Sequence, residues 1–355
     1  MPCNAEFFNA TKGRYGLETK YTLFNGQFYL SQILEASYLL KQNKLYCGDY
    51  PATAGELTLK IDDKKDKTVS LLESGYYDAA FISGSESAEL KSAEGINYVP
   101  YDDSVWAFLL NTSSPVFQSK TMRKSFCLGL SAFSETDKRY LKKAGTLTPL
   151  SCKIGNESAA KKTGVTVPGQ NTEKSKALWL SGLKVINESE ITVTVITQKE
   201  MQNETLALLQ GVQSGICTIV KDGNGDSVTF TIKVEPLEKE ELESRVASRD
   251  YDIAFYPFKS NSTSPEAFLE SFVKSTKTGF DTEELENAIK LAEKSDNGDD
   301  EARYLRQAEK AVIETYSIFP VIYETSYYAS AKGVSGIQFH AGSGRVSFVN
   351  ATREE

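Results

Sequence analysis

The sequence predicts an α/β protein with mixed sheets and helices on both faces, on three observations. Residues 191–256 alternate strand, helix, strand, helix, strand. A helix–Asp–apolar-strand shape occurs twice, near residues 67–82 and 242–258. The chain has 355 residues, 40% of them hydrophobic and 25% charged, an ordinary globular composition that can bury a sizeable core in two or three domains.

In chain order, residues 1–46 read as loop and short strands, with Asn25-Gly26 a turn between Tyr21–Phe24 and Gln27–Leu30. Glu56–Ile61 alternates through Leu57, Leu59 and Ile61 and predicts a strand. Lys67–Ser74 places Val69, Leu71 and Leu72 on one side of a short helix. Tyr77–Ile82 follows as an apolar strand, ended by Ser83-Gly84-Ser85. Val105–Leu110 is an apolar run of strand length, ended by Asn111 and a turn-prone Thr-Ser-Ser-Pro, and Met122–Ser131 then has helical spacing. Glu135–Lys143 reads as a charged helical surface segment. Residues 151–174, rich in Gly, Asn and Ser, read as an exposed loop. Glu173–Ser181 starts a helix carrying Ala177 and Trp179.

Ile191–Ile196 is the next alternating strand and Glu200–Val212 a helix with Leu206, Leu208 and Leu209. Asp222–Gly225 is a turn, and Val228, Phe230, Ile232 and Val234 alternate into a strand. Pro236 then opens a helix over Glu238–Ala247, and Ile253–Tyr256 is an apolar strand. This order builds a mainly parallel sheet through helical crossovers. The polar Lys259–Pro265 loop lies at the C-terminal end of its last strand, where α/β sheets place ligands. Glu283–Ala292 and Glu301–Tyr316 are helical, and Phe319–Tyr323 is a strand. The repeated helix–Asp–strand shape fits two lobes of similar build, and equally the ordinary alternation of any α/β domain.

The net charge of −8 argues against a nucleic-acid partner, because phosphate contacts need clustered Lys and Arg. The five cysteines are scattered, which makes neither a disulfide framework nor a zinc site. Cys127 lies in an apolar helix and reads as a small core residue. The single histidine, His340, has no GxSxG or HExxH motif to support it. Asp250 and Asp252 share a strand face, with no nucleophile or proton partner in the pattern. The Asp-rich stretch after Ser295 lacks EF-hand order and reads as a helix–helix loop. No metal and no cofactor are expected. No apolar run is long enough to span a membrane, and Met1-Pro2-Cys3-Asn4 does not open like a signal peptide.

The wording of residues 103–131 is more specific than its pattern. A strand ending in Asn111, then Pro115 and Phe117, then Arg123 opening a helix with Gly129, resembles the family 5 extracellular solute-binding proteins of ABC transporters. Other passages fit the same family. They are Met1-Pro2, Phe7-Phe8, Tyr15-Gly16, Asn25-Gly26-Gln27-Phe28, Asn43 with Tyr46, and Gly145-Thr146-Leu147-Thr148-Pro149. Gln27 replaces a usual proline.

The resemblance implies a two-lobed, periplasmic-binding-protein-like fold (type II, cluster C). Residues 1–84 would belong to an incomplete first lobe, 85–322 to the second, and 323–355 to a return to the first. It implies a chain that looks like the C-terminal part of a longer one, with a first-lobe sheet left incomplete. It implies a binding module, not an enzyme, held outside the cytoplasm, monomeric, with a peptide or small-molecule solute and a membrane ABC permease as partners. Family members close two lobes around the ligand. The expected contacts are Ser83, Gly84 and Ser85 on the first lobe and Trp106, Phe258 and Asn261 on the second. Where peptide-binding members carry an acid that anchors the ligand's amine, this chain has Asn261, which brings no charge. Capture of a peptide's N-terminus by this chain is thereby disfavoured, and, with the N-terminal part of the first lobe implied to be missing, weak or absent binding by this chain alone is expected. The alternatives are a surface interaction protein without a ligand and, less favoured, an α/β hydrolase.

Overall fold

The computed structural model describes residues 4–61, 67–134, 140–184, 186, 190–217, 228–275 and 279–354. The turn expected at Asp222–Gly225 and most of the helix expected from Glu135 lie outside the described residues. The chain divides into two compact units, Met1–Pro100 with Ser326–Glu355, and Tyr101–Thr325.

In the first unit a short helix α1 (Ala5–Ala10) precedes an antiparallel sheet of β1 (Phe28–Leu34), β2 (Ser37–Gln42) and β3 (Glu56–Lys60). The β1–β2 turn falls at Glu35-Ala36 and not at Asn25-Gly26, because Asn43 holds residues 24–27 in a loop. Its Nδ2 donates to the carbonyls of Phe24 (3.1 Å) and Gly26 (2.9 Å), and its backbone N–H donates to that of Gln27 (2.7 Å). Helix α2 (Thr68–Glu73) buries Val69 and Leu72 and leads to β4 (Ala79–Ile82) and helix α3 (Ser87–Ser92). A small core of Val69, Leu72, Ile82, Leu90, Tyr327 and Ala329 joins these elements.

In the second unit the strands are β5 (Asn97–Leu110, entering from the first unit), β6 (Leu141–Lys143), the hairpin β7 (Lys153–Ile154) with β8 (Glu157–Ser158), β9 (Glu190–Gln198), β10 (Thr229–Leu237), β11 (Ile253–Lys259) and β12 (Ile318–Ser330). The main sheet runs β10-β9-β11-β5-β12, with β6 antiparallel on β12. Strands β10 and β11 both pair parallel to β9, joined through helices α7 (Gln202–Gly215) and α8 (Lys239–Ser248), as the alternation predicts. Antiparallel pairing of β11 with β5 makes the sheet mixed. Strand β12 returns to the first unit, where its residues 327–330 pair antiparallel with β4.

Helices cover both sheet faces. On one lie α4 (Lys120–Gly129), α6 (Thr172–Leu183) and α7, whose core holds Phe108, Phe126, Trp179 and Phe255. On the other lie α5 (Ala159–Thr163), α8, α9 (Pro265–Val273), α10 (Glu283–Glu293) and α11 (Gly298–Ile313), packed around Val105, Ala107, Leu109 and Ala254.

Three further expectations differ from the structure. Leu141–Lys143 is a strand and not helix, because β12 offers it a ladder. Residues 151–174 are not an open loop: Cys152, Ile154, Ala159 and Val165 are buried in the core beneath α9 and α11. Pro236 sits inside β10, with the α8 helix starting only at Lys239.

Candidate functional site

The motif residues 111–129 build scaffold. Asn111 is buried at the end of β5. Its Nδ2 donates to the carbonyls of Arg249 (3.1 Å) and Tyr251 (2.8 Å), and its Oδ1 accepts from the Ser113 N–H and from Arg249, 3.0 Å each. That clamp holds the α8–β11 corner, where Arg249 adopts a left-handed φ of 59°. Arg123, also buried, spreads its guanidinium over the carbonyls of Phe117 (2.7 Å), Gln118 (2.9 Å) and Thr315 (3.0 Å). Asp252 accepts from Ser114 Oγ (2.7 Å) and from the Thr194 N–H (3.0 Å), so it ties the start of β11 to β9 and to the loop after β5.

Of the expected ligand contacts in the first unit, Ser83, Gly84 and Ser85 lie where β4 ends and a 3-10 turn begins. Ser83 and Glu86 form a capping box, with the Ser83 N–H and Oγ both donating to Glu86 Oε2 (3.2 and 2.9 Å). The Ser83 and Ser85 hydroxyls lie 2.8 Å apart. Gly84 is buried and Ser85 is exposed.

In the second unit the expected contacts occupy neighbouring strands but different faces. Trp106 pairs with Pro257, and Phe258 pairs with Val105 one position along. Alternation therefore sends Trp106 and Phe258 to opposite sides of the sheet. Trp106 is buried beside Phe255, at 5.4 Å between ring centroids, while half-buried Phe258 packs on Tyr256 and Phe272. Asn261 is exposed in the loop between β11 and α9. That loop is ordered by its serines: Ser260 Oγ donates to the Ser262 carbonyl (2.7 Å), and Ser264 caps the α9 helix through the Ala267 N–H (3.0 Å).

Residue patterns alone did not point to the polar cluster beside Trp106. The indole Nε1–H donates to Glu324 Oε2 at 2.8 Å. Burial pushes the Glu324 carboxyl above the usual carboxylate range; Trp106 pulls it back, Asp103 raises it further and Lys259 lowers it. Asp103 is buried and pairs with Lys259 at 3.1 Å, and Asp102 takes Lys142 (3.1 Å) and the Thr325 hydroxyl. The signal available was a single Glu inside the apolar run Phe319–Tyr328.

Among the described residues, no group of three or more His, Cys, Asp or Glu side chains is placed to hold a metal ion. His340 is exposed on the short strand Gln338–His340, paired with Arg345–Ser347. Cys47, Cys127, Cys152 and Cys217 are free thiols, with Cys127 and Cys152 buried; burial pushes Cys152 up to about 11. No helix among the described residues is long and apolar enough to cross a membrane.

The chain folds as two compact α/β units, and strands β5 and β12 run from one into the other. The family is identified by sequence. Residues 2–280 match the model described as bacterial extracellular solute-binding proteins, family 5 Middle, and the chain belongs to that family. It is 23% identical over 301 residues to the dipeptide-binding protein DppE of Bacillus subtilis (strain 168), an alignment that covers 80% of this chain and 53% of that protein. The chain thus spans about half the length of this curated relative. Its fold is shared with the dipeptide binding protein of Pseudoalteromonas sp. SM9913 in complex with Met-Leu (TM-score 0.73, 13% identity, 99% of this chain and 69% of that one). It is shared equally with Listeria monocytogenes OppA bound to peptide (TM-score 0.71, 18% identity, 100% and 69%).

Proposed function

We propose that this protein is the solute-binding component of an ABC importer, working outside the cytoplasmic membrane. In this reading it captures a peptide or another small solute and delivers it to a membrane permease, as a monomer and without chemical conversion. The family match across residues 2–280 carries the reading. A dipeptide-binding relative and peptide-bound proteins of the same fold favour a peptide as the solute class.

The proposed lobes are residues 1–84 with 323–355, and 85–322. The proposed contacts are Ser83, Gly84 and Ser85 on the first lobe and Trp106, Phe258 and Asn261 on the second. Ser85 and Asn261 are the most open of these to solvent. Trp106, being buried with its N–H committed to Glu324, contributes a wall and no free donor.

The test is calorimetry of the complete gene product with Met-Leu and a panel of defined peptides from two to six residues. Saturable one-to-one binding of any member supports the reading. Absence of heat across the panel, with the protein folded, overturns the peptide assignment. The 355-residue chain by itself is expected to bind weakly or not at all.

A further inference from the structure

The Asn25-Gly26 pair, which the turn between β1 and β2 does not use, lies in the loop ahead of β1. Asn-Gly is a reactive pair, because glycine has no Cβ to shield its backbone nitrogen from the preceding side-chain amide. Two such pairs fall among the described residues, Asn25-Gly26 and Asn297-Gly298, and both asparagines are exposed. Hydrogen bonding separates them. Asn297 caps helix α11: its Oδ1 accepts the N–H groups of Asp299 (3.1 Å) and Asp300 (2.9 Å), and its Nδ2 donates to Asp300 Oδ2 (2.8 Å). The Asn25 side chain makes no hydrogen bond among the described residues, and neither does the Gly26 N–H. Asn43 grips this loop only by its carbonyls, those of Phe24, Gly26 and Gln27, and leaves the Asn25 amide and the Gly26 nitrogen uncommitted.

We propose that Asn25 is a site of spontaneous deamidation, with water as the co-reactant, and that Asn297 is protected from it. The Gly26 nitrogen gives up its proton and attacks Asn25 Cγ. A bond forms between that nitrogen and Cγ, the Cγ–Nδ2 bond breaks, and the amide nitrogen leaves as ammonia with the proton. Water then opens the resulting succinimide at either carbonyl and leaves aspartate or isoaspartate, with no change of oxidation state. In the isoaspartate form the main chain passes through the former side chain and gains a carbon between the Phe24 and Gly26 carbonyls, which Asn43 Nδ2 holds at 3.1 and 2.9 Å. The product is therefore expected to lose one of those bonds, in the loop that leads into β1. At Asn297 the same attack requires its three hydrogen bonds to be released first. The inference does not depend on solute capture.

Peptide mapping by mass spectrometry tests it on the 355-residue chain incubated in mildly alkaline buffer, through the tryptic segments 21–41 and 295–303, each of which contains a single asparagine. In the folded protein Asn25 is expected to convert roughly tenfold faster than Asn297, a barrier difference of about 1.4 kcal/mol, and to yield isoaspartate as well as aspartate. In guanidinium chloride the two rates converge, since both sites are then unprotected Asn-Gly pairs. A Cβ at residue 26 would meet only the Phe28 carbonyl oxygen, at 3.8 Å, so Gly26→Ala fits the fold. That variant is expected to slow conversion at Asn25 severalfold and to leave Asn297 as it was. Equal rates at the two sites in the folded protein overturn the proposal. So does a difference that persists unchanged in guanidinium chloride, which would belong to the neighbouring residues and not to the hydrogen bonds. A rate at Asn25 that Gly26→Ala leaves unchanged overturns it as well.

Discussion

Trp106 and Glu324 are joined by one hydrogen bond, indole N–H to carboxylate, 2.8 Å long, between β5 and β12. The acceptor is a carboxyl that burial raises above its ordinary range, so the donor stabilises a charge that its surroundings disfavour. Trp106→Phe keeps the ring beside Phe255 and removes only the donor. The variant is expected to lose about 1–3 kcal/mol in urea unfolding, the cost of leaving a charged acceptor partly desolvated.

The same pair gives a pH signal. With Trp179→Phe as background, Trp106 is the only tryptophan left of two. Its emission should change as pH falls through the raised Glu324 value, above the ~4.3 of an unperturbed glutamate. A Glu324→Gln partner variant should abolish that step. A fluorescence transition unchanged by Glu324→Gln would assign it to another group.

Glu309 is fully buried on α11, and its Oε1 accepts the backbone N–H groups of Leu147 (2.6 Å) and Thr148 (2.7 Å). Burial raises its carboxyl above the usual range, against the pull of those two amides. Because the folded-state value lies above the unfolded one, the folded protein holds more protons between them. Its contribution is fully present below about pH 4.3 and declines as pH rises through the folded-state value. Glu309→Gln should flatten that part of the stability–pH curve. Glu309→Ala, which strands two buried amides and opens a cavity, should cost about 2–4 kcal/mol at pH 7.

Helices α4 and α7 meet at glycines. A Cβ on Gly211 would sit 2.4 Å from the Gly129 carbonyl oxygen, which is backbone and cannot swing aside. Gly211→Ala is therefore expected to destabilise the second unit by about 1–3 kcal/mol, the usual cost of overpacking. Thermal unfolding within 1 °C of the parent would show that the helices can separate freely.

The parallel run β9–β11 was readable because its alternation and its crossover helices agree locally and globally. Strand β6 was not, since three residues become a strand only through a partner about 180 positions away in sequence. The Asn25-Gly26 turn failed for a related reason: Asn43, from beyond β2, fixes residues 24–27 by side-chain hydrogen bonds that no local rule contains. For the candidate site, sequence supplied Trp106 and Phe258 as aromatic neighbours of a loop. Only the β5–β11 register separates them to opposite faces, and a one-residue slip would have reversed that assignment. Glu324 was hidden because a lone acid in an apolar strand acquires meaning only from Trp106, Asp103 and Lys259 around it.

In the proposed reading, Asn261 stands at the position of an amine-anchoring acid and brings no charge. It is exposed, and the loop that carries it is fixed by Ser260 and Ser264 rather than by Asn261 itself, so a substitution there leaves the scaffold intact. An ammonium group meeting a neutral amide oxygen makes a bond about half as strong as one meeting a carboxylate. If residue 261 faces the amine of a bound peptide, Asn261→Asp should tighten binding of free-amine peptides by roughly tenfold, about 1.4 kcal/mol. N-acetylated versions of the same peptides should gain nothing. Calorimetry on the complete gene product with both peptide sets decides it, since equal changes for free and acetylated peptides would place residue 261 away from the amine.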